Sequence, residues 1–332
     1  MTDNRYSRQE LIPDWKQSSL RDATVVVLGV GATGSYVATN LAMSGVGKLI
    51  LVDYDTIELS NLNRQLLFRS YDIGENKAEI AAARLSELNP DIEIVAFPKK
   101  MQRLPATLKE DIDLVACCLD TFRGRRWANS LALDLKKPMV NGGMFAFMGD
   151  IQTIIPYESA CFECQPLVSQ EKLAQACTPL GEARKNDEER ADKDDVTLPS
   201  VATLSSIIGG LMSQEILKLL MQVGTSINNY LFYDGLSNTF TELQLSRNDN
   251  CPICGKTNEL QSQQALVFRG ETVEEFKQRI ALAFGLADPR VMIRGRFLAD
   301  DAVLDGHTGD KMYALDERLA APIAIELTYQ DT

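Results

Sequence analysis

The sequence predicts an α/β protein with a Rossmann-like, doubly wound and mostly parallel sheet, followed by a small C-terminal α+β domain of the β-grasp type. Strand-like apolar runs alternate with helix-like segments through most of the chain, which is typical of a parallel sheet. A G-x-G-x-x-G pattern follows the first such run, as in nucleotide-binding βαβ units. With 332 residues, 45% hydrophobic and 24% charged, the composition is that of a globular chain long enough for a larger and a smaller domain.

The first βαβ unit lies within Thr24 to Arg64. Its predicted elements are a strand over Val25 to Leu28, a turn with Gly29, Gly31 and Gly34, a helix over Ser35 to Ser44, and a strand over Lys48 to Val52. The glycines allow a tight turn in which backbone N–H groups approach a phosphate. Asp53, at the end of the second strand, can accept hydrogen bonds from a ribose hydroxyl. These features predict a nucleotide site, and on their own the default interpretation is the dinucleotide site of a dehydrogenase.

A polar run shortly after Asp53 favours a triphosphate over a dinucleotide. Its hydroxyl, amide and cationic side chains are Ser60, Asn61, Asn63, Arg64 and Gln65. A dehydrogenase has no need of an arginine at this point, whereas such groups suit the phosphates of ATP. The dehydrogenase alternative stays open, but it leaves this run without a role.

The alternation of helices and strands continues along the chain. The predicted elements are a helix over Ile73 to Leu88 that carries Lys77, strands over Ile92 to Phe97 and Leu114 to Leu119, a helix over Phe122 to Leu135, and a strand beginning at Met139. Ligands of such sheets bind beyond the carboxyl ends of the strands. Gly29, Asp53 and Asp120, which all follow predicted strands, should therefore converge on one site.

A charged segment then interrupts the apolar pattern. Residues 181–195 contain eleven charged residues in fifteen, which predicts a mobile loop close to Cys177. A long apolar helix over Leu198 to Met221, interrupted at Gly209 and Gly210, and a hairpin over Tyr230 to Arg247 follow.

The domain boundaries follow from these composition changes. We predict a main domain over residues 1–256 with an inserted loop at about 170–198, a polar linker over 257–264, and a terminal domain over 265–332. The strand and helix order of the terminal domain resembles a ubiquitin-type β-grasp fold, and another small α+β fold is the alternative.

Four of the seven cysteines form two C-x-x-C pairs, Cys161 with Cys164 and Cys251 with Cys254. Two such pairs suit a tetrahedral structural zinc site, although the 86 residues between them exceed the usual spacing of a zinc ribbon. A thioredoxin-like redox pair is the alternative for either motif alone. Cys117 and Cys118 lie in an apolar strand-like run and are interpreted as small hydrophobic residues, which leaves Cys177 without a structural role.

The net charge of −12 argues against non-specific nucleic-acid binding, which depends on lysine and arginine contacts to phosphates. No apolar run reaches the roughly 18 residues expected of a membrane span, and the polar N-terminus does not resemble a signal peptide. We therefore expect a cytoplasmic protein without a membrane partner.

The chain resembles the adenylating superfamily in a set of motifs that occur in order. They are the arginine-containing arm RYSRQ, the glycine turn, Asp53, the SNLNRQ run, Lys77, Asp120 and the two cysteine pairs. This superfamily contains the ubiquitin-activating enzymes and the bacterial adenylyltransferases that activate sulfur carriers. The resemblance covers roughly residues 5–254. It implies an ATP site with Mg²⁺, in which Asp53 and Asp55 serve the nucleotide and Asp120 helps to hold the metal. The residues implied to contact the triphosphate are Asn61, Arg64, Gln65 and Lys77; Arg8 would reach the site of a partner subunit, and Arg125 and Asn129 are further candidates.

Cys177 and the terminal domain distinguish the branches of this superfamily. Cys177 is followed by threonine and resembles the active-site cysteine that captures the adenylated modifier as a thioester. The resemblance then implies a ubiquitin-like protein with a C-terminal glycine as substrate, a conjugating enzyme docked on residues 265–332, and a homodimer. A sulfur-carrier adenylyltransferase of the molybdopterin or thiamine type is the alternative, and a non-catalytic scaffold is another.

Overall fold

The computed structural model describes residues 4–164, 199–227, 229–249, 251, 253–255, 263–268, 270–284, 286, 288–293, 296–305, 311–316 and 323–330. Cys177, the predicted charged loop and most of the predicted linker lie outside these residues.

The first sheet has eight strands in the order β3-β2-β1-β4-β5-β6-β7-β8. Its strands are β1 (Thr24–Leu28), β2 (Lys48–Val52), β3 (Glu93–Phe97), β4 (Leu114–Cys117), β5 (Met139–Phe145), β6 (Met148–Ile154), β7 (Tyr230–Asp234) and β8 (Thr239–Leu243). The first five strands in this order pair in parallel, and the last three add on in antiparallel pairs. The predicted mostly parallel sheet and the β7–β8 hairpin are confirmed.

The helices described in this part of the chain are α1 (Gln17–Arg21), α2 (Ala32–Ser44), α3 (Lys77–Leu88), α4 (Ala106–Lys109), α5 (Phe122–Leu135) and α6 (Ala202–Met221). Alternate residues of β1 enter two different cores. Val25 and Val27 pack with α2, α3 and α6, whereas Val26 and Leu28 pack with α5 and the paired cysteines. Burial on both faces explains why β1 reads as a continuous apolar run, and it confirms the doubly wound architecture.

Three helices differ from the sequence-based expectation, and the simplest case is α2, which begins at Ala32 rather than Ser35. Helix α3 begins at Lys77 rather than Ile73, because the side chain of Asn76 accepts hydrogen bonds from the N–H groups of Ala78 and Glu79 and caps the helix there. Helix α6 runs without a break through Gly209. A Cβ at Gly209 would lie 2.6 Å from the Cβ of Tyr36, so the glycine serves close packing against α2 instead of interrupting the helix.

Helix α6 is, among the described residues, the one helix long and apolar enough to cross a membrane by length and composition. Within its apolar window, 56% is buried inside the molecule. Leu204, Ile208 and Met212 belong to the same core as Val37 and Leu41 of α2. These contacts are those of a core helix.

The C-terminal residues form a second, five-stranded sheet in the order β11-β10-β12-β13-β9. The elements are β9 (Gln263–Phe268), α7 (Val273–Phe284), β10 (Arg290–Ile293), β11 (Arg296–Phe297), β12 (Lys311–Leu315) and β13 (Ile323–Gln330). The first and last strands pair in parallel and the other pairs are antiparallel, around a core that includes Val273 and Phe276. Strand β9 begins two residues inside the predicted linker. The ubiquitin-type β-grasp assignment and the domain boundaries stay predictions.

Candidate nucleotide and metal sites

The glycine turn brings β1 and α2 into close contact. Gly29 has a φ of 83°, in the left-handed region that favours glycine, and its N–H donates to the carbonyl of Val52 at 2.9 Å. A Cβ at Gly34 would lie 1.9 Å from the carbonyl oxygen of Gly29. Helix α2 begins immediately after Gly31, so the N–H groups of its first turn lack intrahelical acceptors. This is the local geometry that binds phosphate groups.

Asp53 lies beside this turn, directly after β2, and is 8% exposed. One carboxylate oxygen accepts the N–H of Val30 at 2.8 Å, and the other accepts the N–H of Asp55 at 2.9 Å. Burial raises the pKa of Asp53, while Lys77 and the two N–H groups act in the opposite direction. The backbone thus fixes the orientation of the carboxylate, and each oxygen keeps a second lone pair for a ribose hydroxyl.

Lys77 is held next to Asp53 by Asp55. Its ammonium lies 3.1 Å from a carboxylate oxygen of Asp55, and its N–H donates to the Asp55 carbonyl at 3.0 Å. The side-chain amide of Asn76 donates to the carbonyls of both Asp53 and Asp55. The lysine side chain is only 10% exposed, so its charge is directed within the site rather than into solvent.

The polar run after Asp53 forms a compact loop that includes a 3₁₀ turn at Leu59–Asn61. Arg64 donates to the carbonyl of Ser60 at 2.7 Å and to the side chain of Asn63 at 3.0 Å. Oδ1 of Asn61 accepts the N–H of Glu58 at 3.1 Å.

Gln65 reaches the glycine turn from this loop. A Cβ at Gly31 would lie 3.5 Å from Nε2 of Gln65. The Oε1 atom of Gln65 is buried and accepts no hydrogen bond from the part of the chain that the structure describes. A buried acceptor without a partner is costly, so this atom is suited to a donor group on a ligand.

Sequence reasoning did not find the residue that anchors this loop. Arg84 on α3 donates from Nη2 to both carboxylate oxygens of Asp72, at 2.9 and 2.7 Å, and from Nη1 to the carbonyl of Leu67. Oδ2 of Asp72 also accepts the N–H of Arg69 at 2.6 Å. No motif marks this pair, because its members differ by twelve positions and meet only when the loop folds back onto α3.

Asp120 lies at the same edge of the sheet. It follows β4, which pairs with β1, and it directly precedes Thr121, the N-cap of α5. The neighbouring Cys118 donates its N–H to Leu28 at 2.9 Å, and its carbonyl oxygen would lie 3.0 Å from a Cβ at Gly29. Asp120 is exposed, as a carboxylate that binds a hydrated metal ion requires.

Arg8 lies on the N-terminal arm and is exposed. Arg5 of the same arm donates to the carbonyl of Leu88 at 2.9 Å, which places this part of the arm at the C-terminal end of α3. Lys77 begins the same helix, about 17 Å away at the usual rise per residue. The arm of this chain is therefore anchored away from the glycine turn.

Arg125 and Asn129 lie on one face of α5. Nε of Arg125 donates to the carbonyl of Leu119 at 2.9 Å, and Oδ1 of Asn129 accepts the N–H of Phe162 at 3.0 Å. Asp150 of β6, which the sequence analysis missed, faces the same region: burial raises its pKa, and Arg125 acts in the opposite direction.

Cys117 is fully buried in β4, and burial raises the pKa of its thiol to about 11. It behaves as the small hydrophobic residue that the sequence predicted.

The two C-x-x-C pairs converge as predicted. The four sulfur atoms lie within 4.8 Å of one another, and all four cysteines are buried. The measured separations are 3.6 Å for Cys161–Cys251, 3.8 Å for Cys161–Cys164 and 3.3 Å for Cys164–Cys254. Zinc–sulfur bonds of about 2.3 Å in a tetrahedron place the sulfurs about 3.8 Å apart, so the cluster fits a zinc ion.

Backbone groups support this arrangement of sulfurs. The N–H groups of Cys161 and Asn248 point to the sulfur of Cys164 at 3.3 and 3.4 Å. Hydrogen bonding among the thiols lowers the pKa of Cys164 and raises that of Cys161, so without a metal the cluster favours a thiolate at Cys164 and a thiol at Cys161.

Comparison with known proteins agrees with this set of features. A profile of the ThiF family matches residues 5–253, which contain the glycine turn and three of the four clustered cysteines and end one residue before Cys254. The chain belongs to the ThiF family. This membership confirms the predicted resemblance to the superfamily of ubiquitin-activating enzymes and sulfur-carrier adenylyltransferases.

Two types of curated ThiF relative match at similar identity. The chain is 34% identical over 258 residues to ubiquitin-like modifier-activating enzyme 5 of Bombyx mori, covering 74% of this chain and 62% of that protein. It is 32% identical over 262 residues to the sulfur carrier protein ThiS adenylyltransferase of Escherichia coli (strain K12), covering 76% of this chain and 96% of that protein. The crystal structure of E. coli MccB with ATP superposes with a TM-score of 0.61 over 76% of this chain and 75% of that one, at 24% identity, and so shares the fold.

Proposed function

We propose that this ThiF-family chain is an enzyme that uses ATP to adenylate the C-terminal carboxylate of a ubiquitin-like protein. The observation that carries the proposal is the grouping of Asp53, the Asp55–Lys77 pair, Gln65 and Asp120 around one glycine turn, at the carboxyl ends of adjacent parallel strands. A dinucleotide site would leave the lysine, the loop amides and Asp120 without a ligand.

In this proposal the nucleotide lies along the carboxyl edge of β2, β1 and β4. Asp53 binds the ribose, and Asp55 orients Lys77 beside it. The phosphate contacts come from the side-chain N–H groups of Asn61, Arg64, Gln65 and Lys77, while Oε1 of Gln65 is left for a hydroxyl or amino donor. The exposed carboxylate of Asp120 helps to hold Mg²⁺, an ion that prefers carboxylate and phosphate oxygens.

The chemistry requires electrostatic stabilisation rather than an acid or a base. An oxygen of the substrate carboxylate attacks the α-phosphorus of ATP, the bond to the bridging oxygen breaks, and pyrophosphate leaves with the negative charge. Charge develops on phosphate oxygens during this step, where Lys77, Arg64 and Mg²⁺ stabilise it. Because the N-terminal arm is anchored away from the turn of its own chain, Arg8 would serve the site of a partner subunit in a homodimer.

Thioester formation on Cys177 would follow. The thiolate attacks the carbonyl carbon of the acyl adenylate and AMP leaves, so that the modifier becomes linked through sulfur. A conjugating enzyme docked on residues 265–332 would then accept the modifier. We place these reactions in the cytoplasm, with the four-cysteine zinc site in a structural role.

The test of this branch is a thioester assay. Incubation of the full chain with a glycine-terminated ubiquitin-like protein and Mg·ATP should give an adduct that a thiol reductant removes. Cys177→Ser should abolish the reducible adduct, whereas Cys117→Ala, which removes a buried core thiol, should retain it. A reducible adduct at the wild-type level in Cys177→Ser would contradict the role of this cysteine.

A sulfur-carrier adenylyltransferase is the second candidate. It is favoured by the match that covers 96% of the E. coli ThiS adenylyltransferase, compared with 62% of the modifier-activating enzyme. This activity would yield a modifier with a C-terminal thiocarboxylate when a sulfur donor is present, and it needs no conjugating enzyme. Mass spectrometry of the modifier terminus distinguishes the two products.

A further inference from the structure

The first C-x-x-C motif contacts the N-terminal half of α5 through the two residues between its cysteines. The N–H of Phe162 donates to Oδ1 of Asn129 at 3.0 Å, and a carboxylate oxygen of Glu163 lies 2.5 Å from Nε of Arg126. The rings of Phe162 and Phe122 are 6.0 Å apart between centroids. Two consecutive residues of the cysteine motif therefore make three separate contacts with one helix.

These contacts follow a single face of α5. Phe122, Arg126 and Asn129 are spaced four and three residues apart, so they lie above one another on the helix surface. Asn129 is fully buried, and the side chains of Arg126 and Glu163 are 23% and 11% exposed. Separating the partners of a largely buried ion pair leaves two charges uncompensated and costs much more than in an exposed pair, so a displacement of the helix away from the cysteine motif is disfavoured.

The same end of α5 holds Asp120 in place. Thr121, directly after Asp120, caps the helix by accepting the N–H of Gly124 at 3.1 Å. On the other side of Asp120, the carbonyl of Leu119 accepts a hydrogen bond from Arg125 at 2.9 Å. A displacement of the first two turns of α5 would therefore move Asp120 with it.

We propose that the four-cysteine metal centre is energetically coupled to the Mg·ATP site through these contacts, with Arg126 and Asn129 as positioning residues for Asp120. The inference rests on the proposed function, because it requires a nucleotide at the carboxyl edge of the sheet. Coupling free energies are reciprocal. Zinc therefore strengthens Mg·ATP binding, and Mg·ATP raises the affinity for zinc by the same factor.

The experiment measures the zinc affinity of the full-length protein by equilibrium competition with a colorimetric chelator, with and without saturating Mg·ATP and without any modifier, so that there is no turnover. The expected result is protection of the bound zinc by Mg·ATP, that is, a zinc affinity raised about fivefold or more, the lower end of ordinary coupling between sites.

Variants identify the path of the coupling. In Arg126→Gln, Mg·ATP should give almost no protection of the bound zinc, a factor close to one, while the zinc content stays at one ion per chain. Arg126→Lys keeps the positive charge and should retain part of the protection. Lys137→Gln is the matched control: it removes the cation of the pair with Asp113 beyond the other end of α5 and should leave the protection unchanged.

The wild-type measurement alone can overturn the inference. If ATP binds and the zinc affinity is unchanged, the coupling is absent although the proposed function stands. If ATP does not bind at all, the proposed function and the inference fall together. Full protection in Arg126→Gln would show that these contacts do not carry the coupling.

Discussion

Replacing Gly34 by alanine should separate β1 from α2 and damage the proposed nucleotide site. A Cβ at this position would lie 1.9 Å from the carbonyl oxygen of Gly29 and 3.3 Å from the Cβ of Cys118. A carbon and a carbonyl oxygen approach to about 3.3 Å, so the turn and the helix must separate by roughly 1.4 Å. The obstacle is backbone, which cannot rotate away as a side chain can.

Gly34→Ala affects the free energy of unfolding in two opposite ways: the clash lowers it, and the higher helix propensity of alanine raises it. Overpacking of this kind costs about 1–3 kcal/mol, while alanine in place of a helical glycine contributes about 1 kcal/mol. The free energy of unfolding should therefore fall by up to about 2 kcal/mol. A displacement of about 1 Å in a positioned site can reduce a reaction rate by roughly 100-fold, so kcat/KM for ATP should fall far more than stability does.

Gly210→Ala is the matched control, because a Cβ there meets nothing within 4 Å and Gly210 lies inside α6. This variant should gain about 0.5–1 kcal/mol of stability with unchanged kcat/KM. Urea unfolding gives the stabilities, and ATP–pyrophosphate exchange gives the kinetics. If Gly34→Ala matched Gly210→Ala in both measurements, the close approach of turn and helix would be refuted as a requirement.

Three further predictions concern metal, loop and pH. Cys251→Ser should lower zinc content below one ion per chain and unfold the main domain, as followed by metal analysis and circular dichroism; a zinc-free wild type would contradict the site. Arg84→Met leaves the buried carboxylate of Asp72 without its cation and should cost about 3–5 kcal/mol by urea unfolding. Asp111→Asn, in an exposed ion pair, should cost under about 1 kcal/mol, and equal losses would refute the anchoring role. Because burial raises the pKa of Asp150, the native state binds its proton more tightly than the unfolded chain, and this stability is lost as pH rises through the folded pKa. Asp150→Asn should therefore resemble the wild type near about pH 4 and have a higher urea midpoint at pH 8, and a lower midpoint at pH 8 would contradict the assignment.

Hydrophobic patterning and turn residues, which are local sequence features, predicted most strands of the eight-stranded sheet. The strands of the opening unit are apolar runs bounded by glycine and aspartate, and the φ of Gly29 and the contact at Gly34 explain why those positions are glycine. These local features failed where tertiary contacts override propensity. Gly209 was expected to interrupt a helix, whereas it lies in a continuous helix because Tyr36 packs against it.

The candidate site was predictable only in part. Asp53 could be found because it follows the end of a strand. Lys77 was assigned through the family resemblance, since the predicted helix began at Ile73 and the cap at Asn76, which sets the true start, was not recognised. The Arg84–Asp72 anchor and the contacts of Phe162 with α5 carry no local signal, because they join segments whose proximity depends on the folded sheet. The four cysteines are intermediate: their spacing predicted the metal site, but only the structure gives the sulfur separations.

The most direct test of the account is ATP–pyrophosphate exchange by the purified chain with a glycine-terminated ubiquitin-like protein. Exchange reports formation and reversal of the acyl adenylate and depends on neither Cys177 nor a conjugating enzyme. We predict exchange only when both the partner and Mg²⁺ are present. Removal of a charge-assisted phosphate contact should lower kcat/KM roughly 10- to 150-fold in Lys77→Met, with no change in Lys137→Met. Exchange that proceeds without the partner carboxylate, or at the wild-type rate in Lys77→Met, would contradict the central claim.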